Sequence, residues 1–295
     1  MVQYWPVTVH ISGSAPEKDL SIRMPFKDKK RLDYFFREVC FLQTWAYTLL
    51  GSKPMSTHQY RKPWAAVRSL THHPHLKDIL LGCFWPPRFQ EIRYLFTPEQ
   101  LKIKLGWNTL NKYIHNFPNS RFVLHTYCFE DTEVVVFALI DKIKFIKMIK
   151  HHREDFQGAL QIQAIEPDAL LDNENLYQFI KNLTHEGLIG TVLGFGRDNA
   201  WLFHKYHHKM DSKDNPMVSM WLDEEGVNLE QLNKKTLSFE PWGLSDLFYP
   251  RCACDPQLEE TKQLKRTYQE EREKIIHYYE GKDVVEATLS LFIGS

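Results

Sequence analysis

Between residues 187 and 201 the chain reads Gly187-Leu-Ile-Gly190-Thr-Val-Leu-Gly194-Phe-Gly196-Arg197-Asp198-Asn199-Ala200-Trp201, with helical patterns on both sides. Glycine costs about 1 kcal/mol against alanine inside a helix, so a cluster of this density needs a steric reason. Leu176, Ile180, Leu183, Gly187, Gly190 and Gly194 step by three or four residues and form one stripe, apolar at its start and bare at its end. Another backbone can approach that bare end closely. Gly194 or Gly196 can then take the left-handed conformation that ends a helix, and Asp198 or Asn199 can cap the next one, through Trp201 and Phe203.

Two readings of this corner stay open. In the first it is tight helix packing. In the second, free backbone N–H groups at Gly194 to Asn199, with Arg197, form an anion or phosphate pocket. A dinucleotide fingerprint is excluded: the glycines follow a helix, and Asn199 stands where the third glycine belongs. A Walker loop is excluded by the lack of Gly-Lys-Ser/Thr.

The 295 residues, 43% hydrophobic and 25% charged, can build a globular core. Lys and Arg total 37 and so do Asp and Glu. That balance gives no electrostatic reason to expect nucleic acid as partner. No apolar run approaches the 18 residues of a membrane span. Met1-Val-Gln-Tyr-Trp-Pro6 lacks a basic and an apolar signal region, so the expected location is cytoplasmic, or exported for a chain that has shed a leader. Five cysteines are too few and too sparse for a disulfide framework.

Residues 1 to 25 read as an irregular arm with one edge strand at Val7 to Ile11, ahead of a single helix-rich domain over 26–295. Leu32, Phe35, Phe36, Val39, Leu42, Trp45 and Leu49 predict a helix stopped by Gly51 and Pro54. Residues 55 to 120 read as short helices between proline turns, among them Trp64 to Leu70, His75 to Leu81 and one starting at Pro98. The β signal is confined to Arg121–Phe129 and Glu133–Ile140, joined by a turn at Glu130-Asp131-Thr132. Asp141 should cap a helix running through Phe156 with Ile143, Ile146 and Ile149 on one face. Further helices are expected from Pro167, from Asn173, and from Gln257 to Glu280. The fold class is α+β, predominantly helical with a small antiparallel sheet or hairpin at about 121–140.

Fourteen histidines are present. His204 and His208 lie at i, i+4, the spacing at which two imidazoles grip one metal. Lys205 stands where a metalloprotease carries its glutamate, so the general base is missing and the bland reading is a polar helix face. His72-His73-Pro74-His75 sits at a proline turn and His151-His152 at a helix end. Cys252-Ala-Cys254 is too close for C-x-x-C chemistry. No cofactor is implied by any of these patterns.

Tyr47-Thr-Leu-Leu-Gly-Ser-Lys-Pro-Met55, Leu193-Gly-Phe-Gly-Arg-Asp-Asn-Ala-Trp-Leu-Phe203 and Gly281-Lys-Asp-Val-Val-Glu-Ala-Thr-Leu289 resemble stretches of a group of uncharacterised proteins from intracellular bacteria of the chlamydial and legionella kind. The resemblance implies no activity, cofactor or catalytic residue. It adds Lys53, in the Gly51-Ser52-Lys53-Pro54 turn, to the candidate ligand residues Gly194, Gly196, Arg197, Asp198 and Asn199, and it implies a role at a host interface. The expectation is a non-enzymatic protein that binds a protein partner, because aromatics make up 14% of the chain and no catalytic motif is complete. The alternative is a transferase or hydrolase in which Arg197 and Lys53 hold an anionic group and Asp198 or His204 handles a proton.

Overall fold

The β-branched run Val134-Val-Val-Phe-Ala-Leu-Ile140 becomes the central strand of the principal sheet. The computed structural model describes residues 4–10, 19–61, 98–114, 120–128, 134–171, 175, 178–179, 185–207, 215–221 and 243–293. In this sheet β3 (Met55–Arg61) and β4 (Phe122–Cys128) flank β5 (Val134–Asp141), all antiparallel. Phe122 pairs with Asp141, and Met55 with Ile140. The expected hairpin is present, with its turn at 130–132 outside the described residues. The third strand is a correction, since the sequence pattern places Met55–Arg61 among short helices and turns.

Both faces of β5 are buried, which explains its unbroken apolar run. Val135, Phe137 and Leu139 enter a large core, while Ala138 and Ile140 enter a smaller one on the other face. The large core holds α1 (Phe26–Phe36), α3 (Pro98–Ile114), α8 (Glu259–Tyr279) and α9 (Val284–Ile293), with α2 (Trp45–Leu49) between them. Trp107 stacks on Phe137 at 4.2 Å, and Phe35 meets Trp45 edge-on at 5.8 Å. The smaller core is closed by α4 (Lys142–His151), α5 (Arg153–Leu160) and α6 (Glu186–Val192).

The helix expected over residues 32–49 is interrupted. Past α1 the chain widens into a π-helical turn at Arg37–Leu42, which puts the consecutive residues Val39, Cys40 and Phe41 all in the core. Thr44 then takes a left-handed φ of 65° ahead of α2. The strand expected near the N-terminus is present as β1 (Tyr4–His10), and the correction is a second strand, β2 (Asp19–Pro25), that pairs with it antiparallel, Val7 opposite Ile22, with Met24 buried in the large core. A last two-residue pairing joins β6 (Val218–Ser219) to β7 (Ala253–Cys254).

Asp141 caps α4 as expected, accepting from the N–H groups of Ile143 and Lys144. It also pairs with Arg121 and with Lys144 at 2.9 Å. The helix breaks at His152 instead of running to Phe156, and Phe145 and Ile149 form its buried face while Ile143 is exposed. A short 3-10 turn at Ala169–Leu171 stands where a helix from Pro167 was expected. The expected helices at 64–70 and 75–81, and the stripe residues Leu176, Ile180 and Leu183, lie outside the described residues. Among the described residues no helix is long and apolar enough to cross a membrane.

Candidate functional site

The glycine cluster builds a helical hairpin. α6 ends at Val192, and the chain turns through Gly194 (φ 78°) and Gly196 (φ 85°) into α7 (Arg197–Tyr206). The turn closes on itself: the N–H of Phe195 donates to Gly190 O at 3.0 Å and that of Gly194 to Thr191 O at 3.0 Å. Gly190 lets the two helices touch, because a Cβ there would sit 2.7 Å from Ala200 Cβ.

The anion-binding groups of the corner already hold a carboxylate, that of Glu260 on α8. Glu260 Oε1 accepts from the N–H of Arg197 at 2.8 Å and Oε2 from that of Asn199 at 3.0 Å. A side chain at Gly196 would strike this carboxylate, 2.5 Å away. The Arg197 guanidinium grips Asp155 with two bonds of 3.0 and 2.9 Å, reaches Asp198 at 3.1 Å and lies 5.4 Å from the Trp201 ring centre. That paired guanidinium holds the Asp155 carboxyl below its usual range. Asn199 is fully buried; its Oδ1 accepts from Asp255 N and Thr261 Oγ1 at 3.2 and 2.9 Å. Gly194, Gly196, Arg197, Asp198 and Asn199 therefore share one corner, and their donors serve the hairpin and its attachment to α5 and α8.

Lys53 touches the same corner from the other side. A Cβ on Gly194 would meet Lys53 Cγ at 3.3 Å and Pro54 Cδ at 3.1 Å. The Gly51–Pro54 turn is held by Glu271, which bonds Ser52 and leaves no room for a side chain at Gly51. Lys53 is 2% exposed, and its Nζ lies 4.8 Å from the centre of the Phe195 ring. It lines a cavity of about 430 Å³ with Gln43, Thr44, Thr57, Phe195, Tyr249 and Arg251. Among the described residues no carboxylate pairs with its ammonium. Burial pulls the Lys53 pKa down to about 8, against the opposing influence of Cys252 and Glu271. Burial pushes the Cys252 thiol up to about 12 and raises the Glu271 carboxyl, so neither is held in its charged form by its surroundings.

Comparison with protein families, with curated proteins and with solved structures finds no match.

The structure does not gather the proposed acid, base and anion holders around one space. Arg197, Asp198 and His204 do not line the Lys53 cavity, and Arg197 turns instead to α5. His204 meets partners that the i, i+4 pattern did not select. His208 lies outside the described residues. His204 Nδ1 is 2.6 Å from Glu186 Oε2, and His207 Nε2 is 3.3 Å from Glu186 Oε1. One ligand atom from each of Glu186, His204 and His207 lies within 4.8 Å of the other two. Glu186 opens α6 and the histidines close α7, so the tight hairpin brings them together. His185 stacks on the His204 ring at 3.7 Å between centres. In sequence Glu186 stands 18 residues from His204, and only the glycine corner signals that they meet.

Cys254 is buried on β7 and its thiol, like that of Cys252, is raised by burial, which removes the thiolate a nucleophile needs. His72, His73 and His75 lie outside the described residues. His151 and His152 close α4 with their rings edge-on at 4.6 Å, and burial pulls the His152 pKa down.

Proposed function

We propose that this chain is a non-enzymatic binding protein whose ligand is a small anion held in the Lys53 cavity. One observation carries the reading: a buried ammonium with no ion-pair partner among the described residues faces a cavity of ligand size. An isolated charge is costly to bury, and an apolar residue of similar shape would fill the place without that cost. A ligand carboxylate or phosphate supplies the missing counter-charge. The cavity volume falls within the range of small-molecule sites. Thr44, Thr57 and Gln43 add neutral donors, and Arg251 adds a second cation.

The aromatic residues that suggested a docking surface support this reading less than the cavity does. Phe35, Phe36, Phe41, Trp45 and Phe137 are core, and among the described residues the exposed large apolar side chains Phe26, Leu101, Ile143, Ile162 and Val218 are spread over separate segments. A transferase or hydrolase centred on the corner draws no support from groups already engaged by Glu260 and Asp155.

Calorimetric titration with phosphate, pyrophosphate, acetate and succinate at pH 7 and pH 9.5 tests the proposal. Only the ammonium form attracts an anion, so carboxylate affinity should fall about tenfold or more at the higher pH, and binding should vanish in Lys53→Met. An absence of saturable binding by all four anions, or binding that persists in Lys53→Met, refutes it.

A further inference from the structure

The Glu186, His204 and His207 cluster stands apart from the Lys53 cavity and carries a separate conclusion. His207 Nδ1 lies 2.8 Å from the carbonyl oxygen of His204. A carbonyl only accepts, so Nδ1 carries the proton and donates it. The lone pair of the neutral ring is then on Nε2, which points at a carboxylate oxygen of Glu186 3.3 Å away. Either a proton on Nε2, which makes the ring an imidazolium paired with the carboxylate, or a metal ion stands between two such atoms. The bond from Nδ1–H to a backbone carbonyl is also the orienting contact that metal-bound histidines use to fix tautomer and ring plane.

The spacing suits a metal. Donors on a tetrahedral ion with bonds of about 2.0–2.1 Å stand roughly 3.3 Å apart, and the three donor atoms here lie within 4.8 Å of one another. Glu186 opens α6, His204 lies in the last turn of α7 and His207 caps it, so side-chain rotations can part His204 Nδ1 from Glu186 Oε2, 2.6 Å away in this arrangement, and draw His207 Nε2 in. His185 and Trp201 pack around the His204 ring and limit its swing. Lys205 places its Nζ over the Tyr206 ring at 5.1 Å.

We infer that Glu186, His204 and His207 form a binding site for one divalent transition-metal ion of the zinc or iron class. Two imidazoles and one carboxylate are the donors of catalytic zinc sites and of the non-haem iron facial triad, both of which leave positions open. Glu186 also borders an apolar cavity of about 250 Å³ lined by Ile189, Leu193, Phe195 and Phe203. An exogenous ligand with an apolar body would reach the ion from that side.

The full chain, stripped with a chelator, is titrated with Zn²⁺ against a chromogenic competitor and separately with Co²⁺. One equivalent should bind with sub-micromolar affinity, raise the melting temperature, and give Co²⁺ the intense visible bands of a four- or five-coordinate site. Glu186→Gln and His207→Ala should each weaken binding at least about tenfold. A variant with His72, His73 and His75 all changed to Ala should bind as wild type. The Co²⁺ spectrum reads the site in wild type even where a variant fails to fold. Failure to bind one equivalent at micromolar metal, or binding that survives both Glu186→Gln and His207→Ala, overturns the assignment.

Discussion

Glu260 shows how one residue decides what the glycine corner is. Its carboxylate takes the two N–H groups that a bound phosphate would use, at the positive end of the α7 dipole. Removing it leaves two donors to water, so Glu260→Ala should cost about 1–3 kcal/mol in urea unfolding. High phosphate should restore part of that loss by filling the vacated cradle, and a variant as stable as wild type would show that the carboxylate does not hold the corner. Gly196→Ala should cost at least as much, because it adds left-handed strain to a collision with the same carboxylate. Lys53 is the opposite kind of residue, one that the fold tolerates. Its pKa near 8, against an ordinary 10.5, corresponds to a destabilisation on the order of 3 kcal/mol at neutral pH.

At the scale of elements, the α6–α7 hairpin is what sets the histidine cluster. A methyl group on Gly190 must push against Ala200, so Gly190→Ala should part the helices, cost about 1–3 kcal/mol, and weaken zinc binding by moving Glu186 away from His204 and His207. Unchanged zinc affinity in a destabilised Gly190→Ala protein would separate the hairpin from the site. This hairpin was legible in sequence because glycine spacing is a local signal. So were β4 and β5, whose β-branched runs are buried on one or both faces, and the Asp141 cap. Strand β3 was hidden, since Met-Ser-Thr-His-Gln-Tyr-Arg has no apolar alternation and gains its conformation from pairing with β5. The π-helical turn was hidden too, because a run of apolar spacings reads the same through it. Site partners were the least legible. Asp155, Glu186 and Glu260 reach Arg197, His204 and Asn199 across 42, 18 and 61 residues, and no local pattern encodes such contacts. The Lys53 cavity likewise joins segments near 43, 57, 195 and 250.

Across the whole molecule, titration sets the range of stability. Burial opposes the ionised forms of Asp28 and Asp141 but is outweighed by Lys112 with Tyr113 and by Arg121 with Lys144, and Arg197 lowers Asp155. Their folded pKa values are depressed, so their contribution is present above the ordinary carboxylate pKa near 4 and is lost as pH falls below it. Burial raises Cys40 and Cys252 to about 12, and raises Tyr268 and Tyr279. Their contribution is complete below an ordinary thiol pKa near 9 and is lost as pH climbs beyond it. The melting temperature should therefore form a plateau between about pH 5 and 8 and fall on both sides; a melting temperature still rising at pH 10 would contradict the alkaline limb. Lys53 runs against that limb, because the unfolded chain binds its proton more tightly: its cost is complete below about pH 8 and fades towards 10.5. The difference between wild type and Lys53→Met isolates this one group, and it is the most direct test of the account. Melting both proteins at pH 7 and pH 10, with and without phosphate, should find Lys53→Met more stable at pH 7, the gap narrowed at pH 10, and a phosphate response in wild type alone. A Lys53→Met protein that melts lower than wild type at pH 7 would mean that the lysine braces the fold, and would contradict the claim that it waits there for an anion.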